Sequence, residues 1–204
     1  MEQFDIFNIN NHQNEYIDIS NGEYLYFPSY FEKKESNSFL RSLIKEIIWK
    51  QEKMNIYGKS IKFPRLTAWY GDDERSYKFS GINLYPNKWT PLIINIKEKV
   101  ESQIGTKFNS VLLNFYKNGN DSISWHSDAE EELGKNPIIA SVSFGEKRLF
   151  QLKHNLSKEK REIELLNGSL LVMKGELQHY WKHQIPKTRQ IKKERVNLTF
   201  RLLK

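Results

Sequence analysis

Beyond Gly105 the chain is a succession of short β-rich runs: SVLLNFYKNG, PIIASVSFG, RLFQLKH, EIELLNGSLLVM, HYWKHQIP and RVNLTFRLL. Turn signals such as Asn118-Gly119 and Asn167-Gly168 separate them. Several strands at this spacing point to two sheets packed as a sandwich or barrel. Two helices are predicted upstream. SNSFLRSLIKEIIWKQEKM, from Ser36 to about Met54, sets Phe39, Leu40, Leu43, Ile44, Ile47 and Ile48 on one side at helical spacing. TPLIINIKEKVESQIG offers Thr90 as an N-cap, Pro91 at the first helical position and Gly105 as the stop. The expected fold class is α+β, mostly β: a jelly roll buttressed by N-terminal helices. No internal repeat divides it, so residues 36–204 read as one domain. Residues 1–35, with the aromatic segment YLYFPSYF, read as an N-terminal extension.

Composition narrows the function. The absence of cysteine excludes disulfides and thiolate metal sites and suits a reducing cytosol. No apolar run approaches the length that spans a bilayer, and the acidic, Asn-rich start MEQFDIFNINNHQNEYIDIS lacks a secretion-signal layout. The expectation is a soluble monomer without a membrane partner, cytoplasmic, or nuclear in a eukaryote. A net charge of +7 and a pI near 9.3 favour a polyanionic partner, nucleic acid above all.

Within SISWHSDAEEE, His126 and Asp128 stand two apart at a strand end, so they share a face. Two neutral imidazoles and one carboxylate form the facial metal site that leaves positions open for a co-substrate and dioxygen. The third ligand has to come from elsewhere. His12 lies in the unpatterned start and His154 beside a charged turn, while His179 and His183 flank Tyr180-Trp181-Lys182. Composition alone does not choose between the last two. The final run, RVNLTFR, places Arg195, Asn197, Thr199 and Arg201 on one face at period two. If that face is interior, it calls for a bound anion, and a dicarboxylate suits two guanidiniums. If it is a solvated edge, Val196, Leu198 and Phe200 form the buried side instead. Periodicity does not separate these alternatives.

Taken together, PRLTAWYG, YKFSG, LLNFYKNGNDSISWHSD, IASVSFG, GSLLVM, HYWKHQIP and RVNLTFR resemble the AlkB family of iron(II)/2-oxoglutarate-dependent dioxygenases over roughly residues 60–203. The nearest likeness is to its nucleic-acid demethylases. The resemblance implies a double-stranded β-helix core over about 106–203 and a nucleotide-recognition lid over about 63–90. It also implies His183 as the third iron ligand, because Pro186 follows it and it stands 12 residues before Arg195. His179 meets neither condition. Asn114, Tyr116, Arg195 and Arg201 match positions that bind 2-oxoglutarate, with Thr199 nearby as a further hydroxyl for it.

For the substrate, the resemblance points to Trp69, Tyr70, Tyr77 and Phe79 as lid aromatics that stack on a flipped base. It points to Glu130 as an acid facing the base's exocyclic amine, although Ala129 stands where some relatives carry that acid. Arg148, in GEKRLF, matches a basic residue brought towards substrate, and the run KTRQIKKER offers phosphate contacts. The implied reaction uses Fe(II), 2-oxoglutarate and dioxygen to hydroxylate a methyl group on a base nitrogen, which then leaves as formaldehyde. The implied substrates are 1-methyladenine and 3-methylcytosine in DNA. The competing expectations are an RNA demethylase and a non-catalytic nucleic-acid-binding jelly roll.

Overall fold

A computed structural model describes residues 14–56, 59–72, 77–79 and 82–204. In chain order, strands β1 (Glu15–Ile19) and β2 (Gly22–Phe27) precede helix α1 (Lys33–Glu46). Then come β3 (Lys53–Ile56), β4 (Lys59–Lys62), β5 (Leu66–Gly71), β6 (Tyr77–Phe79), β7 (Ile82–Leu84) and helix α2 (Pro91–Ile104). The remainder comprises β8 (Ser110–Tyr116), β9 (Ile123–His126), β10 (Ile139–Gly145), β11 (Arg148–His154), β12 (Lys160–Leu165) and β13 (Ser169–Lys174). A short helix α3 (Leu177–Tyr180), β14 (Trp181–Ile185) and β15 (Arg195–Arg201) complete it.

Two antiparallel sheets face each other. The large one runs β1-β2-β13-β10-β15-β8-β5 and the small one β12-β11-β14-β9. This is the double-sheet jelly roll that the short runs called for. Helices α1 and α2 cover the outside of the large sheet, where Leu43, Ile93, Ile96 and Val100 meet Val111, Leu113, Val142, Val196, Leu198 and Phe200. A second apolar cluster lies between the sheets, with Leu152, Leu165, Leu171, Met173, Leu177, Trp181 and Ile185. Every residue of β15 is buried, so the strand is central and both of its faces are covered.

Helix α2 follows its sequence signals. Thr90 Oγ1 accepts a hydrogen bond from the Ile93 amide at 3.3 Å, and Gly105 closes the helix at φ 71°. Helix α1 starts earlier and stops earlier than its apolar spacing predicts, because Ile47 turns extended (ψ 136°). The chain then leaves the helix to exchange two backbone hydrogen bonds between Lys50 and Thr67. Ile47 still reaches the core, which is why it fits the helical period.

Two expected boundaries do not match the architecture. Residues 15–27 are not an appendage: β2 pairs with β13 and extends the large sheet, and β1 pairs with β2 at its edge. Of the segment 63–90 expected as a lid, Leu66–Gly71 is itself a strand of the large sheet, and only the β6–β7 hairpin forms a sheet of its own. Among the described residues no helix is long and apolar enough to cross a membrane.

Gly145 ends β10 opposite Arg195 with φ +97°, where a Cβ would stand 2.3 Å from the Glu194 carbonyl oxygen. Gly145→Ala is expected to destabilise the fold by about 2 kcal/mol or more, against about 1 kcal/mol for Thr90→Ala at the helix cap. Thermal denaturation of the two variants beside the parent chain checks the order.

Candidate active site

The space between the sheets is polar at one end. There a pocket enclosing about 520 Å³, mouth included, is lined by Asn114 and Tyr116 from β8, His126 from β9, and Asp128 just beyond it. His183 on β14 and Arg195, Asn197, Thr199 and Arg201 on β15 complete its polar wall. The period-two row of the last strand is therefore interior. Phe150, Leu165, Met173, Ile123 and Ile185 supply apolar wall and limit access of water.

His126 and His183 are direct cross-strand partners in the β9–β14 register, which brings their rings to 4.2 Å between centroids. Ligand atoms of His126, Asp128 and His183 all lie within 4.8 Å of one another. His126 Nδ1 sits 2.8 Å from the Ser124 carbonyl oxygen, so that nitrogen carries the hydrogen and Nε2 keeps its lone pair. His183 stacks on Phe150, and its Nδ1 is buried with no hydrogen-bond partner among the described residues.

Asp128, 2% exposed, is fixed from two sides. Its Oδ1 accepts from Arg201 Nη2 at 2.6 Å, and its backbone N–H donates to Gln178 Oε1 at 2.9 Å. Oδ2 faces His183 Nε2 at 3.9 Å. Burial alone would raise the Asp128 pKa, but the Arg201 charge and the two imidazoles outweigh it and hold the carboxyl below its usual range. Burial carries the His183 imidazole down to about 3, with His126 and Arg201 adding and Asp128 opposing. Burial lowers His126 as well. Two neutral imidazoles and one carboxylate are the protonation states a divalent iron requires, and an all-nitrogen-and-oxygen set of this type suits it.

Arg195 lies deeper, 1% exposed. Nη2 donates to Ser143 Oγ at 2.9 Å and the guanidinium lies 5.0 Å from the Tyr116 ring centroid. Its Nε and Nη1 have no partner among the described residues. Burial lowers its pKa to about 10, which still leaves it charged at neutral pH. A buried cation with two open donors beside a donor-rich wall is a receptor for a carboxylate.

The pattern of these residues matches the 2OG-Fe(II) oxygenase superfamily over residues 23–201. Over 185 residues the chain is 40% identical to human "alpha-ketoglutarate-dependent dioxygenase alkB homolog 3", covering 86% of this chain. Over 182 residues it is 37% identical to human "DNA oxidative demethylase ALKBH2", covering 84% of this chain and 70% of that one. This chain belongs to the AlkB family. It spans 64% of the length of the human alkB homolog 3 protein. The solved structure of OsALKBH1 shares the fold, with TM-score 0.65 at 15% identity, over 92% of this chain and all of that one. Enzymes of the superfamily use Fe(II), 2-oxoglutarate and dioxygen, and the site carries donors for the first two.

Not every residue singled out in the sequence reaches this AlkB pocket. Tyr70 does not: it packs in the helix-side core at 2% exposure, because alternation along β5 turns it away from the site. Trp69 takes the opposite face of β5, buried, with Nε1 donating to Ser110 Oγ at 2.8 Å. The side chains of Tyr77 and Phe79 lie outside the described residues. Glu130 is half-buried at the start of the turn Glu131–Leu133, with Oε2 unpartnered among the described residues. His179 is exposed and bonded to Asn136, away from the metal ligands, as expected.

Arg148 is a correction. It is 3% exposed and donates to the carbonyls of Asn118, Asp121 and Pro186 at 3.2, 2.8 and 2.8 Å, with its guanidinium over Tyr116. A planar fork of donors suits three converging carbonyls, so this arginine ties loops together and does not face a substrate. Two contributors went unread in the sequence. Gln178 orients Asp128, and Arg65 donates to Asn114 Oδ1 at 2.6 Å and to Ser122 O at 3.3 Å. Neither stands in a periodic pattern that could have flagged it.

Arg148→Met removes the guanidinium donor from the half-buried Asp121 and Pro186 carbonyls and is expected to cost about 2–4 kcal/mol of stability, measured by urea denaturation. A variant as stable as the parent chain would return Arg148 to the role of a solvent-facing or substrate-facing charge.

Proposed function

We propose that the chain is an iron(II)- and 2-oxoglutarate-dependent oxidative demethylase of N-alkylated bases in nucleic acid. The observation that carries this is the joint opening onto one pocket of the His126–Asp128–His183 cluster and of Arg195, whose Nε and Nη1 have no partner among the described residues. Either feature alone would suit many chemistries. Together they suit one occupant, a keto acid whose near end meets the metal and whose far carboxylate meets Arg195.

In this reading His126, Asp128 and His183 hold the iron. With 2-oxoglutarate and dioxygen as co-substrates, an iron held there would supply the oxidation that hydroxylates a methyl group on a base nitrogen. The protein's residues do the rest. Arg201 keeps Asp128 ionised and aimed, and Arg195, Thr199, Asn114 and Tyr116 orient the co-substrate. The family resemblance implies that Arg201 grips the co-substrate itself, but its bond to Asp128 favours the anchoring role. Phe150, Ile185 and Leu165 keep the reacting space dry.

The finer substrate is 1-methyladenine or 3-methylcytosine in DNA. Both bases carry a positive charge at neutral pH when methylated, and the Glu130 carboxylate, whose Oε2 has no partner among the described residues, complements it. Trp69, Tyr77 and Phe79 stay candidates for contacts to the flipped base. In the basic run 187–195, the exposed Lys187, Arg189 and Lys193 fit backbone phosphates. Support for DNA comes from the activity that gives the ALKBH2 relative its name.

The test offers 1-methyladenine in single-stranded DNA, duplex DNA and RNA with Fe(II) and ascorbate, with and without 2-oxoglutarate, read by mass spectrometry. Demethylation that requires 2-oxoglutarate supports the proposal, and the three substrates rank DNA against RNA. Replacing His126, Asp128 or His183 by Ala is expected to lower succinate formation by about 100-fold or more; the two histidine variants keep the fold, while Asp128→Ala also loses stability because Arg201 loses its buried carboxylate. A fully active His183→Ala enzyme contradicts the metal assignment. Binding of nucleic acid without succinate from the iron-loaded protein would instead favour a non-catalytic binding module.

A further inference from the structure

The outer face of the small sheet carries an arrangement that folding disfavours. The register sets Lys160 of β12 beside Lys153 of β11, and Lys153 beside Lys182 of β14. Strand alternation turns Lys153 and Lys182 to the solvent side, since Leu152, His154, Trp181 and His183 take the buried positions next to them, and Lys160, opposite Lys153, is exposed. Like charges directly opposite on neighbouring strands repel. None of the three lysines has an ion-pair partner among the described residues. Of the acids of β12 and its approach, Glu159 pairs with Arg161 and Glu164 with Lys147, while Glu162, in the next row of the same face, accepts from the Gln151 amide and is the carboxylate that stands nearest the lysines.

The neighbouring row reinforces the contrast. Gln151 donates to Glu162 Oε1 at 2.6 Å and Gln184 donates to Gln151 Oε1 at 2.6 Å, so this row is an amide relay ending on a carboxylate. The lysine row has no such resolution and runs across three strands, about 10 Å at the usual strand spacing. Beyond β14 lies β9, the edge of the sheet. Its register slips between His126 and Ile123, both of which line the pocket. The two residues between them, Ser124 and Trp125, therefore bulge opposite Gln184 and are exposed, Trp125 by 37%. Trp125 thus places an exposed indole on the rim of the lysine face, directly beside the pocket wall at His126.

We propose that this face is a track for the backbone of single-stranded nucleic acid flanking the nucleotide in the pocket. Trp125 is the stacking platform where the strand crosses the edge of β9, and Lys182, Lys153 and Lys160 take successive phosphates beyond it. The identity of the polyanion rests on the demethylase reading; the charge row and the exposed indole do not. Alternating cationic and flat aromatic contacts are the chemistry that holds single strands without reading sequence.

The test compares the parent chain with the triple variant Lys153→Gln, Lys160→Gln, Lys182→Gln. Binding is measured by fluorescence anisotropy across a salt series, with a trinucleotide and an oligonucleotide of about 15 nucleotides, each carrying 1-methyladenine. Relief of repulsion predicts a variant at least as stable as the parent, which thermal denaturation verifies. For the longer strand, the slope of log K against log salt should fall in magnitude by about 2, three contacts at about 0.7 each. Trinucleotide binding and turnover should stay at the parent level. An unchanged slope for the longer strand overturns the proposal, and so does an equal loss with the trinucleotide, which would place the lysines at the pocket. A loss of affinity for phosphatidylserine vesicles without loss for the oligonucleotide also overturns it, in favour of a lipid surface. If the parent chain demethylates nothing yet shows the lysine-dependent slope, the demethylase reading fails and the track stands.

Discussion

The ionised carboxylate of Asp128, sealed between two sheets, is the charge on which the rest of the site depends. An unpaired buried carboxylate is intolerable to a fold, and removing one partner of such a pair typically costs about 3–5 kcal/mol. Arg201 answers the charge from the large sheet, and Gln178 fixes the backbone from the segment before β14. The two imidazoles then meet across the β9–β14 register on the small sheet. The site is thus clamped between the sheets, and their packing distance sets its geometry.

Strand β15 shows how one element serves both stability and chemistry. Its Val196, Leu198 and Phe200 face the helices and are fully buried. Its Arg195, Asn197, Thr199 and Arg201 face inward on the pocket. Asn197 is satisfied by Ser141 Oγ and the Val142 carbonyl, and Thr199 by Asn197. Arg195 alone in that row keeps two donors open among the described residues, beside the Tyr116 ring, which both its guanidinium and that of Arg148 approach. The polar wall is rigid where it is satisfied and open where an anion belongs.

Much of this was legible in the chain because local rules govern it. Thr90, Pro91 and Gly105 mark α2 to the residue, and the period of RVNLTFR identifies the four side chains that share a face. The full set of metal ligands follows only from a family resemblance, since a His-x-Asp pair says nothing about which distant histidine lies opposite it. What escaped is what register and loop closure decide. Ile47 fits a helical stripe yet caps the helix in an extended conformation, and β1 and β2 look like a lead-in until β13 is seen to pair with β2. Arg148 and Tyr70 carry chemistry that suits a substrate, but the backbone carbonyls around the first and strand alternation at the second commit both to the interior. The lysine row is invisible in sequence, because Lys153, Lys160 and Lys182 become neighbours only through cross-strand pairing.

The central claim is that the metal cluster and the Arg195 guanidinium form one receptor for a keto dicarboxylate. Calorimetry of 2-oxoglutarate binding to the manganese(II)-loaded protein, without oxygen, tests it on the parent chain and on Arg195→Met. Loss of a buried charge partner predicts binding weaker by about 100-fold or more in the variant, with manganese affinity unchanged. Equal 2-oxoglutarate affinity in the two proteins would contradict the claim and leave the open donors of Arg195 without a ligand.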